Sequence, residues 1–310
     1  MVLRRALLAA ARGRGVQKLA STMPVSSTIV SRFVAGETAD EAIEVARQLL
    51  DEGIQVTIDH LGEHTEDREG AESATRAYLD LLDRLSRAGV ARSCEVSLKL
   101  SALGRDLRPD GEKLALENTR TIALAARNAG TAISIDMEDY TTVDSTLSVV
   151  QELRRDFPET GAVLQAYLRR TEGDCRDLAY QGSRVRLCKG AYAAPESVAF
   201  RRRSEIDLSY VRCLKILMAG QGYPMVATHD PRLIEIASAL AMRYDRSPGS
   251  YEFQMLYGVR PEEQRRLVSL GDTVRVYLPY GDQWYAYLMR RLAERPAYVG
   301  FFLRSLVTRS

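Results

Sequence analysis

The chain has 310 residues, 45% of them hydrophobic, with 43 Lys plus Arg against 41 Asp plus Glu and a net charge of +2. That suffices for one large core or two modest ones, and the near-balance lacks the basic excess of a dedicated nucleic-acid binder. No run reaches the roughly 18 consecutive apolar residues of a membrane-spanning helix. Four cysteines, Cys94, Cys175, Cys188 and Cys213, form no CxxC pair, so buried free thiols in a reducing compartment are expected.

From Met1 to Gly36 there is no acidic residue, while Arg4, Arg5, Arg12, Arg14, Lys18 and Arg32 are basic. Arg-rich, Ser-containing, acid-free starts resemble mitochondrial transit peptides. A secretory signal fits less well, because the apolar run Leu7–Ala11 is cut off by Arg12. Ser21 to Phe33 runs on without a clear cleavage context, so residues 1–30 read as a basic helical arm and residues 31–310 as the folded domain.

Beyond Phe33, short β-rich segments ending in a polar residue alternate with amphipathic helical stretches. The segments are Gln55–Asp59, Cys94–Lys99, Ala132–Asp136, Ala162–Gln165, Val185–Lys189, Met225–Thr228, Tyr251–Gln254 and Thr273–Tyr277. The helical stretches are Glu41–Leu50, Ala71–Ala88, Leu114–Ala129, Ser145–Asp156, Asp207–Gly220, Leu233–Tyr244, Pro261–Leu270 and Gln283–Glu294. Gly130, Gly161, Gly220 and Gly222 follow periodic runs and read as helix stops. Alternating strands and helices imply a parallel sheet. Eight such units predict an α/β fold, a TIM-type (βα)8 barrel, distorted, behind the N-terminal arm. A doubly wound open sheet would normally carry a Gly-rich phosphate loop, and the chain has neither GxGxxG nor Walker A.

Barrel enzymes act at the C-terminal ends of their strands. Those positions hold Glu63, Lys99, Asp136, Gln165, Arg186 with Lys189, Thr228 with His229, Gln254 and Tyr277. Buried charge must be paired or is costly, so this polar ring points to an enzyme. Arg275 and Tyr277 share one face of the last strand by alternation, which suits a place at the mouth. Two adjacent arginines, Arg290 and Arg291, suit bidentate carboxylate capture, with Tyr287 one helical turn before them.

The motifs resemble the proline dehydrogenase family: the monofunctional bacterial type and the matching domain of bifunctional proline-utilisation proteins. The markers run in order from Phe33-Val-Ala-Gly-Glu-Thr38 through Leu61-Gly-Glu63, Ser97-Leu-Lys-Leu-Ser101, Ile135-Asp-Met-Glu138 and Gln165-Ala-Tyr-Leu-Arg-Arg170. They continue with Lys189-Gly-Ala-Tyr192, Ala227-Thr-His229, Glu252-Phe-Gln-Met-Leu-Tyr-Gly258, Arg275-Val-Tyr277 and Tyr287-Leu-Met-Arg-Arg-Leu292. One departure is Ala193-Ala194-Pro195, where the family usually has an aromatic or acidic residue.

The resemblance implies FAD-dependent oxidation of L-proline to Δ1-pyrroline-5-carboxylate, with hydride passing to flavin N5 and a membrane quinone as acceptor. It implies that Lys99, Arg290 and Arg291 bind the substrate carboxylate and that Glu63 gates the site by pairing with Arg290. Tyr192, Leu256 and Tyr277 would box the proline ring, and Tyr287 would line the same pocket or pack on the rim. Asp136, hydrogen-bonded to Tyr277, would be an active-site residue, and Arg186 would lie near flavin N5. Met137, Gln165, Lys189, Gly190, Ala191, Thr228 and His229 match FAD contacts. The expected location is the cytoplasm, with peripheral contact at the inner membrane, rather than a mitochondrial matrix.

Other features stay outside that set. His60-Leu-Gly-Glu-His64 fits a zinc-protease pattern, but it follows a strand and contains Gly62, and only His229 remains as a further histidine; no metal is expected. Arg201, Arg202 and Arg203 either reach FAD phosphates or form a solvated loop. Tyr298–Leu303, flanked by Arg295, Arg304 and Arg309, covers the domain in preference to touching anionic lipid. A methylenetetrahydrofolate reductase, another FAD-binding barrel, has no need of two arginines and a lysine for one small carboxylate. A hydroxyproline dehydrogenase of the same fold and a catalytically silent flavin-binding paralogue are the open alternatives.

Overall fold

The computed structural model describes residues 30–294. The arm expected at residues 1–30, apart from Val30, and the Tyr298–Leu303 stretch lie outside the described residues. The elements, in order, are α1 (Ala39–Asp51), β1 (Gln55–His60), α2 (Arg68–Arg87), β2 (Cys94–Leu98), α3 (Gly111–Ala129) and β3 (Ile133–Ile135). Then come α4 (Val143–Arg154), β4 (Gly161–Gln165), α5 (Thr171–Asp177), β5 (Arg184–Cys188), α6 (Arg203–Ala219) and β6 (Tyr223–Ala227). The last are α7 (Pro231–Arg243), β7 (Glu252–Leu256), α8 (Pro261–Ser269), β8 (Val274–Tyr280) and α9 (Trp284–Glu294). The eight strands pair in sequence order, all parallel, and β8 closes on β1. The expected α/β TIM-type barrel is therefore the observed one.

Three expectations need correction. The helix after β4 is α5, seven residues long with Gly173 inside it, too short to show a 3.6-residue period. The stretch Glu41–Leu50 is not the first crossover; it is α1, which precedes β1. Its start is fixed locally: Thr38 Oγ1 accepts from the Glu41 amide at 3.3 Å while the Glu41 carboxylate accepts from the Thr38 amide at 2.9 Å. Gly161 opens β4 and is no helix stop; a Cβ there would meet Ser134 Oγ at 2.3 Å, so glycine is required by close packing inside the barrel.

The strands divide their side chains by the period of two. Val56, Ile58, Val96, Leu98, Ile135, Leu187, Val276 and Leu278 face the helices and are almost fully buried. Thr57, Asp59, Glu95, Ser97, Arg186, Glu252, Gln254, Arg275 and Tyr277 face the barrel axis. A separate cluster joins Val30, Phe33, Val34, Leu61, Val259, Trp284, Tyr287, Leu288 and Met289. Leu61 and Val259 follow the C-terminal ends of β1 and β7, so this cluster packs α9 over the mouth of the barrel. No described helix is long and apolar enough to cross a membrane.

Candidate active site

Each residue of the site is placed by the strand that carries or precedes it. Asp136 follows β3 directly, and its amide donates to the Leu98 carbonyl at 2.8 Å, prolonging the ladder and fixing the side chain inward. Its carboxylate accepts from Tyr277 Oη at 2.7 Å, Ser97 Oγ at 2.8 Å and Arg186 Nη1 at 2.8 Å. Lys99, just past β2, reaches Asp59 Oδ2 at 2.7 Å, Tyr277 Oη at 3.4 Å and Asp136 Oδ2 at 3.6 Å. Arg186 stacks its guanidinium 5.3 Å above the Tyr277 ring and donates from Nε to Gln254 Oε1 at 2.6 Å. Four of the residues predicted for the site, from β2, β3, β5 and β8, thus form one hydrogen-bonded cluster.

The electrostatics follow from crowding two anions and two cations out of water. Burial alone would raise the Asp136 carboxyl, but Lys99, Arg186 and the hydrogen bonds from Tyr277 and Ser97 outweigh it and hold it below the usual range. Burial alone would lower Lys99, yet the neighbouring Asp59, Asp136 and Glu63 keep its ammonium protonated above the ordinary lysine range. Burial lifts the Tyr277 phenol far above its ordinary value, and the Asp136 and Asp59 charges add to this, so it acts as a donor throughout the neutral range. Asp59 is raised, first by burial and also by the charge of Asp136, against the pull of Lys99.

Tyr277 departs from expectation in position. β8 runs three residues further, to Tyr280, because Pro279 lies beyond the last β7 partner, where β8 pairs with β1 alone and no ladder donor is needed from it on the β7 side. Tyr277 therefore lies within the barrel, and Arg275 sits one layer below it, away from the mouth. There Arg275 donates to Glu252 Oε1 at 2.9 Å and to the Val56 carbonyl at 3.0 Å, and lies 3.3 Å from Glu95 Oε1. Arg184 pairs with the same Glu95 at 2.5 Å. Gln254 links the layers: its Nε2 donates to Glu252 at 2.5 Å, which turns its oxygen toward Arg186.

The other predicted residues form a second arc along the ends of β4 to β7. Gln165 Nε2 donates to the Met137 carbonyl at 3.1 Å. Lys189 Nζ contacts Asp207 at 2.5 Å and Asp230 at 3.2 Å, and Thr228 Oγ1 accepts from the Asp230 amide at 3.1 Å. His229 Nε2 accepts from the Leu256 amide at 2.8 Å, so that nitrogen carries a lone pair and a neutral ring has its proton on Nδ1. Gly190 adopts a φ of +94°, and a Cβ would lie 2.2 Å from the Tyr167 ring. Ala191, Tyr192 and Leu256 are half-buried.

Glu63 lies in the loop after β1, half-buried, and its charge acts on Lys99. Tyr287 is 5% exposed and packs in the α9 cluster, with the Arg291 guanidinium 5.2 Å above its ring. The Arg290 side chain, and with it the pairing to Glu63, lies outside the described residues. Arg201, Arg202 and Arg203 are exposed at the start of α6. His60 ends β1 and His64 lies in the following loop, so HxxEH is not helical; among the described residues no group of three or more His, Cys, Asp or Glu side chains is placed to hold a metal. Of the four thiols, Cys94, Cys175 and Cys213 are buried and Cys188 is partly exposed.

Sequence reasoning missed Asp59, Ser97 and the linking role of Gln254. The signal was available: Asp59 and Thr57 alternate on one strand face just as Tyr277 and Arg275 do.

A family model described as proline dehydrogenase matches residues 42–304. The chain is 37% identical over 276 residues to proline dehydrogenase 1 of Bacillus subtilis (strain 168), covering 89% of this chain and 90% of that one. It is 36% identical to proline dehydrogenase of Deinococcus radiodurans, covering 98% and 97% of the two chains. The bifunctional protein PutA of Escherichia coli (strain K12) is 30% identical over 88% of this chain, which spans 24% of that longer protein. Among solved structures, proline utilization A from Bdellovibrio bacteriovorus, inactivated by N-propargylglycine, superposes with a TM-score of 0.78 at 26% identity. That match covers 86% of this chain and 32% of the other.

Proposed function

Since the chain belongs to the proline dehydrogenase family, we propose that it oxidises L-proline to Δ1-pyrroline-5-carboxylate with FAD as cofactor and a membrane quinone as final acceptor, reached from the cytoplasm. The observation that carries this reading is the hydrogen-bonded Lys99–Asp136–Arg186–Tyr277 cluster, together with two buried polar atoms that have no protein partner, Arg186 Nη2 within it and Gln165 Oε1 on the neighbouring strand end. One is a donor and the other an acceptor, which suits a polar heteroaromatic ring with both kinds of edge; buried polar groups are otherwise nearly always satisfied. The glycine at 190 has a positive φ and packs its bare backbone against the Tyr167 ring, where any side chain would collide.

FAD, when bound, would supply the two-electron chemistry by accepting the hydride from proline Cδ. Met137, Gln165, Arg186, Lys189, Gly190, Ala191, Thr228 and His229 would hold it. Lys99, Arg290 and Arg291 would take the substrate carboxylate, with Glu63 closing over it. Tyr192, Leu256 and Tyr277 would enclose the ring and, with α9, exclude water. Asp136 would orient Tyr277 and Arg186 by accepting from both. The test is a visible spectrum of the purified protein. It should be yellow, release FAD on denaturation, and bleach when L-proline is added anaerobically. A colourless protein that FAD does not reconstitute overturns the reading.

A further inference from the structure

We propose that Asp59 is a positioning residue of this site: it holds Lys99 charged and fixed in place, so that the ammonium can receive the substrate carboxylate. The inference rests on the proline dehydrogenase reading above and adds a residue that neither the sequence motifs nor the family resemblance singled out.

Asp59 is 1% exposed and sits in β1, with its backbone locked between Ser97 of β2 and Pro279 of β8. Lys99 is different: its ammonium ends a flexible four-carbon stem whose direction the backbone does not set. The carboxylate that fixes it is the nearest one, Asp59 Oδ2 at 2.7 Å. Asp136 Oδ2 is farther away at 3.6 Å and already accepts a hydrogen bond from Tyr277, while Asp136 Oδ1 serves Arg186 and Ser97. The charges resolve into two pairs: Arg186 with Asp136, and Lys99 with Asp59. An ammonium has three donors. Asp59 takes one and the Tyr277 oxygen, at 3.4 Å, a second at most, which leaves capacity for a substrate oxygen. Beside Lys99, Asp59 is supported by the Tyr277 hydroxyl and, more weakly, by the Tyr78 hydroxyl, which lies 3.4 Å from Oδ1 and is closer, at 2.8 Å, to the Ser97 carbonyl.

The groups whose charge or phenol acts on Lys99 are Asp59 and His60 from β1, Asp136 after β3, Tyr277 from β8 and Glu63 from the loop after β1. Removing the Asp59 charge therefore takes away the nearest anion and leaves the ammonium buried beside a carboxylate that Arg186 already neutralises. Asp59→Asn should raise KM for L-proline about tenfold or more, the scale of one charge-assisted hydrogen bond, with a smaller change in kcat. It should also bring the alkaline loss of kcat/KM to lower pH. In a Lys99→Met background the same substitution should change KM less than about twofold, because coupled residues do not add. Flavin content, read from the visible spectrum, follows folding in each variant. Should Asp59→Asn fail to accumulate, Asp59→Glu, which keeps the charge but displaces it by one methylene, takes its place: KM should rise in the same direction with Lys99 present and change less than about twofold in the Lys99→Met background. An Asp59→Asn protein with unchanged KM and alkaline limb, or an equal penalty with and without Lys99, overturns the proposal. An unmodified protein that fails to oxidise proline overturns the parent reading instead.

Discussion

On β2, Val96 and Leu98 face the helices, while Glu95 and Ser97 face the barrel axis. β8 repeats the division, with Val276 and Leu278 outward and Arg275 and Tyr277 inward. The two faces of one sheet are stabilised by different physics. Outside, apolar side chains gain in proportion to the area removed from water, about 25 cal/mol per Å2, with no demand on direction. Inside, each charge was desolvated at a cost that only its designated partner offsets. The outer face therefore tolerates exchange and the inner face does not. The inner face also has two layers. Arg184, Glu95, Arg275 and Glu252 at the base spend their charges on one another. Above them Lys99 and Arg186 are equally paired, with Asp59 and Asp136, yet keep donor capacity.

The sharpest way to break that comparison is to remove one base charge. Arg275→Met leaves Glu252 and Glu95 short of a cation and should cost about 3–5 kcal/mol, the scale of a broken buried pair. Denaturant unfolding should show the loss, while KM for proline in the folded fraction stays near the original. A loss under about 1 kcal/mol would mean that the base is not held by its ion pairs.

Leu98→Ala probes the opposite face of the same sheet. It removes a fully buried side chain between β2 and the surrounding helices. The expected cost is about 3 kcal/mol, inside the range for large-to-small core changes, again with KM preserved. Equal sensitivity of KM to Leu98→Ala and to mouth substitutions would erase the distinction between the faces.

A mouth substitution should act the other way. Arg291, half-buried over Tyr287 on α9, belongs to no core cluster. Arg291→Met should raise KM for proline by the worth of a charge-assisted bond, about 1.5–3 kcal/mol or roughly 10- to 150-fold, with FAD still bound and unfolding little changed. An unchanged KM would place the guanidinium in solvent during turnover.

The barrel itself was legible because its eight strands are short β-rich runs bounded by polar residues, and because parallel strands separated by helices close in few ways. Of the residues read from the strand ends, Lys99, Asp136 and Gln165 lie at the C-terminal ends of β2, β3 and β4, and Arg186 lies within β5. Three things were not legible. The α5 helix has too few residues for periodicity. The end of β8 was not legible because its last residues, through Pro279 to Tyr280, pair with β1 alone. Partnership across the barrel, such as Lys99 with Asp59 over forty positions of sequence, depends on register and shear, which no local pattern carries.

The smallest expected effect concerns the Tyr277 ring. Its hydroxyl is tied to Asp136 at 2.7 Å and its face carries the Arg186 guanidinium at 5.3 Å, so the ring can neither rotate away nor tilt without breaking a charged contact. A phenol held this rigidly excludes volume. If it borders the substrate ring, a 4-hydroxyl on that ring must displace it or forgo close packing. L-Proline should therefore be preferred over trans-4-hydroxy-L-proline at least tenfold in kcat/KM, about 1.4 kcal/mol of discrimination. Tyr277→Ser opens the volume but also removes the donor to Asp136, so the ratio should narrow mainly through poorer use of proline. Tyr277→Phe separates the two contributions: it keeps the ring and loses the hydrogen bond, so selectivity should survive while turnover falls. Equal kcat/KM for the two substrates in the unmodified protein, or a ratio that Tyr277→Ser leaves untouched, would show that this inner-face residue serves the barrel alone and not the choice of substrate.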